Sequence, residues 1–227
     1  MYKYILLDID NTLLDFCKIE KQAMTITLER YGIDVSFVKR LSEITDSLWR
    51  MVERRELTPE ILKIRRFEIF FKEFGINGIS TEKIAEDYLN ETTKHIYEFE
   101  ASYDFCKKLF DMGKELYIVT NGIDFIQEAK ISKASFRHFI KKAYISGKIG
   151  FYKPDKCFFD YVINDIGAKR EDCLIIGDSL TSDILGGVNS GIDTCWFNLF
   201  NKKNTKEYSP TYTVTNINDV IDIIGEA

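Results

Sequence analysis

The chain has 227 residues, 45% of them hydrophobic and 30% charged, with a formal net charge of -5 at pH 7. That length suffices for one sizeable domain, or for a domain carrying a smaller inserted one, and the acidic balance argues against a nucleic-acid partner, which calls for a basic surface. No stretch approaches the ~20 apolar residues of a membrane span, and five scattered cysteines, with no metal-ligand spacing and no secretory signal, predict a soluble protein of the reducing cytoplasm.

The first element, "YKYILLDI", is a short apolar run ending at acids, as suits a buried parallel strand. From Phe16 to Phe99 apolar residues recur at helical spacing. Thr58 can cap a helix in which Pro59 fits the first turn and Gly75 the end, and Ile61, Ile64, Phe67, Ile69, Phe71 and Phe74 give it an apolar, though not perfectly regular, face. Similar stretches over 19–31, 38–52 and 81–99 complete a bundle of about four helices. After Ala101 the rhythm alternates: "SYDFCKKLFDMG" helical, "ELYIVTNG" strand, "IDFIQEAKISKA" helical, "KAYIS" strand, "DKCFFDYVINDIG" helical, "CLIIGDS" strand, "SDILGGVNSG" helical. Strands at "DTCWFN" and "TYTV" and a last helix over 217–224 follow. Such alternation predicts a doubly wound α/β fold, a parallel sheet built from 1–15 and 101–227, with residues 16–100 inserted as a helical cap.

Asp8 and Asp10 raise a problem, because two ionised carboxylates at ~4 Å in a partly wet site repel by on the order of 4 kcal/mol. A metal, a lysine or a shared proton must offset that cost. In an open parallel sheet, ligands bind beyond the carboxyl ends of the strands, near the point where strand order reverses. Strand ends here supply Asp8 and Asp10, then Thr120 and Asn121, then Asp178, while Lys153 opens a helix and Asp183 follows Asp178. Singly, each is explicable as a helix cap, a strand end or a surface charge. Jointly they predict four carboxylates, one lysine and one hydroxyl facing a single crevice.

The ordered set "DIDNTL", "VTNG", "YKPD" and "GDSLTSD" resembles the four motifs of the haloacid dehalogenase superfamily. The resemblance implies a Rossmann-like core, bound Mg²⁺ and an aspartate that is transiently phosphorylated or alkylated. On those terms Asp8 is the nucleophile, and Asp8, Asp178 and the backbone carbonyl of Asp10 are metal ligands. Asp10 is the general acid and base. Thr120 and Lys153 hold phosphoryl oxygens, with backbone N–H groups around Asn121 and Gly122. Asp183 orients Lys153 or a metal-bound water. An aspartate two residues after the nucleophile resembles the ester-hydrolysing members and disfavours a dehalogenase.

In the cap segment, Trp49 and Arg66 are candidate contacts to a base and sugar, although Trp and Arg at helical spacing are more often core and solvated residues. The "LW", the "LT" with downstream "RRFE", "SDILGGVNSGIDTCWFN" and "PTYTV" are similar to the bacterial pyrimidine 5′-nucleotidase branch. That likeness implies a noncanonical pyrimidine nucleoside monophosphate, a small-molecule phosphate ester, as substrate in nucleotide-pool cleansing. A sugar-phosphate phosphatase, a phosphoglucomutase-like enzyme and a non-catalytic phosphoryl switch are the alternatives. His95, His138 and Cys17 have no spacing that suggests chemistry, and Gly186 and Gly187 suit close helix packing.

Overall fold

The computed structural model describes residues 2–204 and 208–226. The chain forms two compact units, Met1–Asp15 with Glu98–Ala227, and Phe16–Tyr97. Along the chain lie β1 (Tyr4–Leu7), α1 (Phe16–Arg30), α2 (Val38–Glu53), α3 (Pro59–Phe74), α4 (Thr81–Thr92), α5 (Ser102–Asp111), β2 (Glu115–Thr120), α6 (Asp124–Lys133) and β3 (Ile140–Ile145). There follow α7 (Ser146–Ile149), α8 (Lys156–Ile166), β4 (Cys173–Gly177), α9 (Leu185–Ser190), β5 (Asp193–Phe197), β6 (Tyr212–Val214) and α10 (Asp219–Glu226). Among the described residues no helix is long and apolar enough to cross a membrane.

In the α/β unit the six strands run in the order β3-β2-β1-β4-β5-β6, every pairing parallel. This is the doubly wound arrangement expected from the sequence. The strand order reverses at β1, which pairs with β2 on one side and β4 on the other. Leu7 lies level with Ile118 and with Ile176, so the residues just after β1, near the end of β2 and just after β4 leave the sheet at one height. The central strands are buried on both faces, as continuous apolar runs such as "YILL" and "CLIIG" require. The edge strand β3 instead exposes Lys141 and Lys142, charges that discourage further strand pairing. On one sheet face, Phe158, Phe159, Val162 and Ile163 of α8 pack against Leu6, Val119 and Ile175. Gly187 sits where a Cβ would come within 2.2 Å of Thr194 Cγ2, so only glycine lets α9 lie this close to the sheet.

"SDILGGVNSG" does not begin as an α-helix. Ile184 N–H donates to Ser179 O (3.1 Å) beside the Asp183 bond to the same oxygen (3.0 Å), and Leu180–Ile184 winds as a single π-helical turn before α9.

The helical unit contains the four helices that the spacing predicts. α3 starts with Thr58 Oγ1 accepting from Ile61 N–H, carries Pro59 in its first turn and ends at Gly75, whose φ of 63° is left-handed. Its Phe67, Phe70 and Phe71 form the core, with the Phe67 ring 5.9 Å from that of Tyr88 on α4. α4 stops at Thr92 instead of running to 99. Thr92 and Thr93 donate their hydroxyls back to the carbonyls of Leu89 (2.6 Å) and Asn90 (2.8 Å), which satisfies the last turn locally. In the α/β unit, Glu98 bridges antiparallel to Leu14 and Phe99 N–H donates to Leu13 O (3.1 Å), so this unit's chain resumes at Glu98.

Candidate active site

The carboxyl ends of β1, β2 and β4 converge on one ammonium group. Lys153 Nζ, 1% exposed, donates to Asp8 Oδ1 (2.7 Å), Asp183 Oδ1 (2.6 Å) and the Val119 carbonyl (2.8 Å), which uses all three of its hydrogens. Its backbone is fixed by Asn121, whose Nδ2 donates to Lys153 O (2.8 Å) and whose Oδ1 accepts from Lys153 N–H (2.9 Å). The end of β2 therefore places the lysine that the end of β1 needs.

Asp8 follows β1, with its N–H donated to Ile176 O (2.9 Å) and its Oδ2 accepting from Thr12 Oγ1 (3.2 Å). The π-turn buries Asp183 against Gly177, where a Cβ would come within 2.2 Å of Asp183 Oδ2, and Ser179 N–H donates to that oxygen (3.1 Å). Asp178 receives Lys202 Nζ on Oδ2 (3.0 Å), while its backbone carbonyl accepts from the Trp196 indole N–H (3.0 Å).

Oxygens of Asp8, Asp178 and Asp183 all lie within 4.8 Å of one another. Three carboxylates beside one buried lysine and one half-exposed lysine leave excess negative charge. Burial raises the Asp8 carboxyl to about 7, opposed by Lys153 and reinforced by the Asp183 and Asp10 charges. Burial likewise raises Asp178 and Asp183 above the usual carboxylate range, each opposed by its lysine. Burial alone would lower Lys153, but the charges of Asp183 and Asp8 outweigh it and raise the ammonium. An all-oxygen donor set with surplus negative charge is the chemistry a hard divalent cation such as Mg²⁺ requires, so these residues fit that ion. Asp183 stands with Asp8 and Asp178 in this trio, and it is also the partner that orients Lys153.

The Asp10 side chain takes a different set of partners. Both its oxygens accept from Lys130 Nζ (2.6 Å each), and Oδ2 also accepts from Gln127 Nε2 (2.9 Å). Gln127 Nε2 lies 2.8 Å from Thr120 Oγ1 as well, and Thr120 is 1% exposed, so Asp10 and Thr120 share one amide. Gly122 N–H donates to Ser146 Oγ (3.1 Å). Trp49 and Arg66 belong to the helical unit, where Trp49 is half-buried and Arg66 is buried with its guanidinium 4.9 Å from the centre of the Tyr88 ring.

Sequence reasoning missed Gln127, Lys130, Trp196 and Lys202. A signal for the first two existed: they fall at the spacing of Ile123, Ile126 and Ile131, on the side of α6 that an amphipathic helix buries, where a polar residue needs a partner. Lys202 and Trp196 come from distant segments, and nothing local marks them.

Residues 5–197 match the model of the haloacid dehalogenase-like hydrolases. The chain is 32% identical to the pyrimidine 5′-nucleotidase PynA of Streptococcus pneumoniae, over 99% of its own length and 96% of the relative's. It is 25% identical to the pyrimidine 5′-nucleotidase YjjG of Escherichia coli, with 98% of each chain covered. The crystal structure of the HAD-hydrolase YfnB of Bacillus subtilis, bound to magnesium, superposes with a TM-score of 0.91 at 32% identity, over 98% of each chain. The family resemblance carried by the four motifs is thereby borne out: the chain belongs to the haloacid dehalogenase-like hydrolases.

Proposed function

We propose that this chain is a Mg²⁺-dependent phosphatase that hydrolyses a nucleoside 5′-monophosphate, with a pyrimidine base, through a phosphorylated Asp8. The observation that carries the reading is the buried Asp8–Lys153–Asp183 system beside Asp178. The two nucleotidases that align along nearly the whole chain support the substrate class.

A phosphate monoester dianion repels an anionic nucleophile, so the site must supply positive charge and in-line positioning. Asp8, Asp178, Asp183 and the backbone carbonyl of Asp10 are the proposed holders of Mg²⁺. When bound, the ion neutralises the clustered carboxylates and polarises phosphoryl oxygens. Asp8 Oδ attacks phosphorus as the ester P–O bond breaks, and the Asp10 carboxyl gives its proton to the departing oxygen, releasing an alcohol. Water then attacks the phosphorus on Asp8, its proton passing to Asp10, and the Asp8–phosphorus bond breaks to release phosphate. Lys153, Thr120 and the backbone N–H groups at Asn121 and Gly122 are assigned the phosphoryl oxygens, Lys153 by exchanging its Asp8 contact and Gly122 its Ser146 contact.

The helical unit is proposed as the substrate-selecting cap. Its Trp49 and Arg66, whose Nε is buried without a hydrogen-bond partner, are assigned to base and sugar. A panel of phosphate esters with Mg²⁺ tests the whole reading. Phosphate release fastest from a pyrimidine monophosphate, and lost in Asp8→Asn, is expected. A preference for hexose phosphates would replace the substrate class, and a stable phosphoprotein without turnover would make the chain a phosphoryl switch.

A further inference from the structure

Lys130 and Gln127 are both 2% exposed, one turn apart on α6. A buried ammonium is expensive unless closely paired, and ion pairs in interiors are often no more stabilising than apolar side chains of the same volume. Ordinary packing therefore does not account for this lysine. It pairs with Asp10, which is 20% exposed and stands two residues from Asp8.

The geometry is specific. The ammonium lies 2.6 Å from each Asp10 oxygen, a placement that fixes the plane of the carboxylate as well as its distance. Gln127 Nε2 then reaches Asp10 Oδ2 (2.9 Å) and Thr120 Oγ1 (2.8 Å). A carboxylate accepts only, so the amide must turn its nitrogen toward Asp10. Gln127 Oε1 is left buried without a partner, a cost the fold bears to keep that orientation.

We infer that Lys130 and Gln127 are positioning residues for Asp10: they fix the distance and the plane of its carboxyl group beside Thr120, for its exchange of a proton with the leaving oxygen and then with water. The inference rests on the phosphatase reading above and assigns its proton-transfer half to a pair on α6. The balance is that of the steps already written: the proton leaves Asp10 as the ester P–O bond breaks, and returns from water as the Asp8–phosphorus bond breaks.

Such a role has a signature that a stabilising ion pair lacks. Departure of a primary alkoxide needs a proton, whereas p-nitrophenolate leaves without one, so a misplaced acid slows the first ester selectively. The full chain with Mg²⁺ is assayed on uridine 5′-monophosphate and on p-nitrophenyl phosphate. Lys130→Met is expected to lower kcat/KM, which reads the reaction only through cleavage of the ester bond, on the nucleotide by about tenfold or more beyond its effect on the aryl ester, since a positioned acid is worth roughly 10²–10⁴-fold. Lys130→Arg should restore most of the difference. The same Lys130→Met change made in Asp10→Asn protein should leave the ratio of the two rates unaltered, because the residue acts through Asp10. Equal losses on both esters, or a further change of ratio in the Asp10→Asn background, overturn the inference. Gln127→Leu keeps the ammonium–carboxylate pair and reads the same ratio if Lys130→Met does not fold, with an unchanged ratio again negative. A wild-type chain that releases phosphate from neither ester rejects the phosphatase reading itself, which separates the two failures.

Discussion

Replacing Lys153 by Met removes the cation that, among the described residues, bonds both Asp8 and Asp183, and keeps nearly the same side-chain length. The two carboxylates left behind have oxygens within 4.8 Å. Were both ionised, their repulsion would be about 3.5 kcal/mol at an effective dielectric of about 20. Breaking a buried pair by removing one partner costs roughly 3–5 kcal/mol on the same scale. The variant can reduce that cost only by protonating a carboxylate, and Asp8 is already raised to about 7 by burial. Folded Lys153→Met should therefore bind more protons than its unfolded chain, and its stability should fall as pH rises from the unfolded carboxylate value through a folded value above that of wild type, in which Lys153 lowers the Asp8 carboxyl. The gap to wild type should be about 3–5 kcal/mol near pH 8, a fall of roughly 6–20 °C in Tm for a protein of this size, and should narrow toward pH 5. Urea or thermal unfolding followed by fluorescence of Trp196, whose indole donates to the Asp178 carbonyl, reads the α/β unit, with Trp49 replaced by Phe to remove the other indole. A gap under about 1 kcal/mol at pH 8, or one that widens toward acid, would refute the charge argument.

Mg²⁺ should stabilise the wild-type chain without any substrate, by about 2.7 kcal/mol at a hundredfold excess over its dissociation constant. Asp178→Asn should abolish that increment in a thermal melt, and an undiminished increment would remove Asp178 from the metal set. In the helical unit, burial raises Glu20 from 4.5 to about 7, so its ionisation costs stability as pH rises through that window. Glu20→Gln should then stabilise the helical unit by about 3 kcal/mol near pH 8 and by almost nothing below pH 4.5. Equal or lower stability at pH 8, read from Trp49 fluorescence in denaturant, would contradict this.

The helices and strands were legible because each is marked locally. α3 carries its Thr58 cap, its Pro59 and its terminal Gly75, and β1 and β4 are short apolar runs ending in acids. Where reading failed, side chains overrode the pattern. Thr92 and Thr93 closed α4 early, and Ser179 accepted two backbone bonds that turned the expected start of α9 into a π-turn.

From its order of residues alone, this chain disclosed a parallel sheet with an inserted helical segment, and named the ionisable groups at the strand ends. Periodicity and terminal punctuation are properties of neighbours in sequence, so they survive without coordinates. Partner choice is a property of neighbours in space. Only the folded chain decided that Lys153 is divided between Asp8 and Asp183, that Asp183 joins Asp178 in the acidic trio, and that Asp10 turns to Lys130. The parallel register brings segments 145 residues apart to within 2.7 Å, and at that range Coulomb and hydrogen-bond geometry, which no local pattern encodes, select the pair.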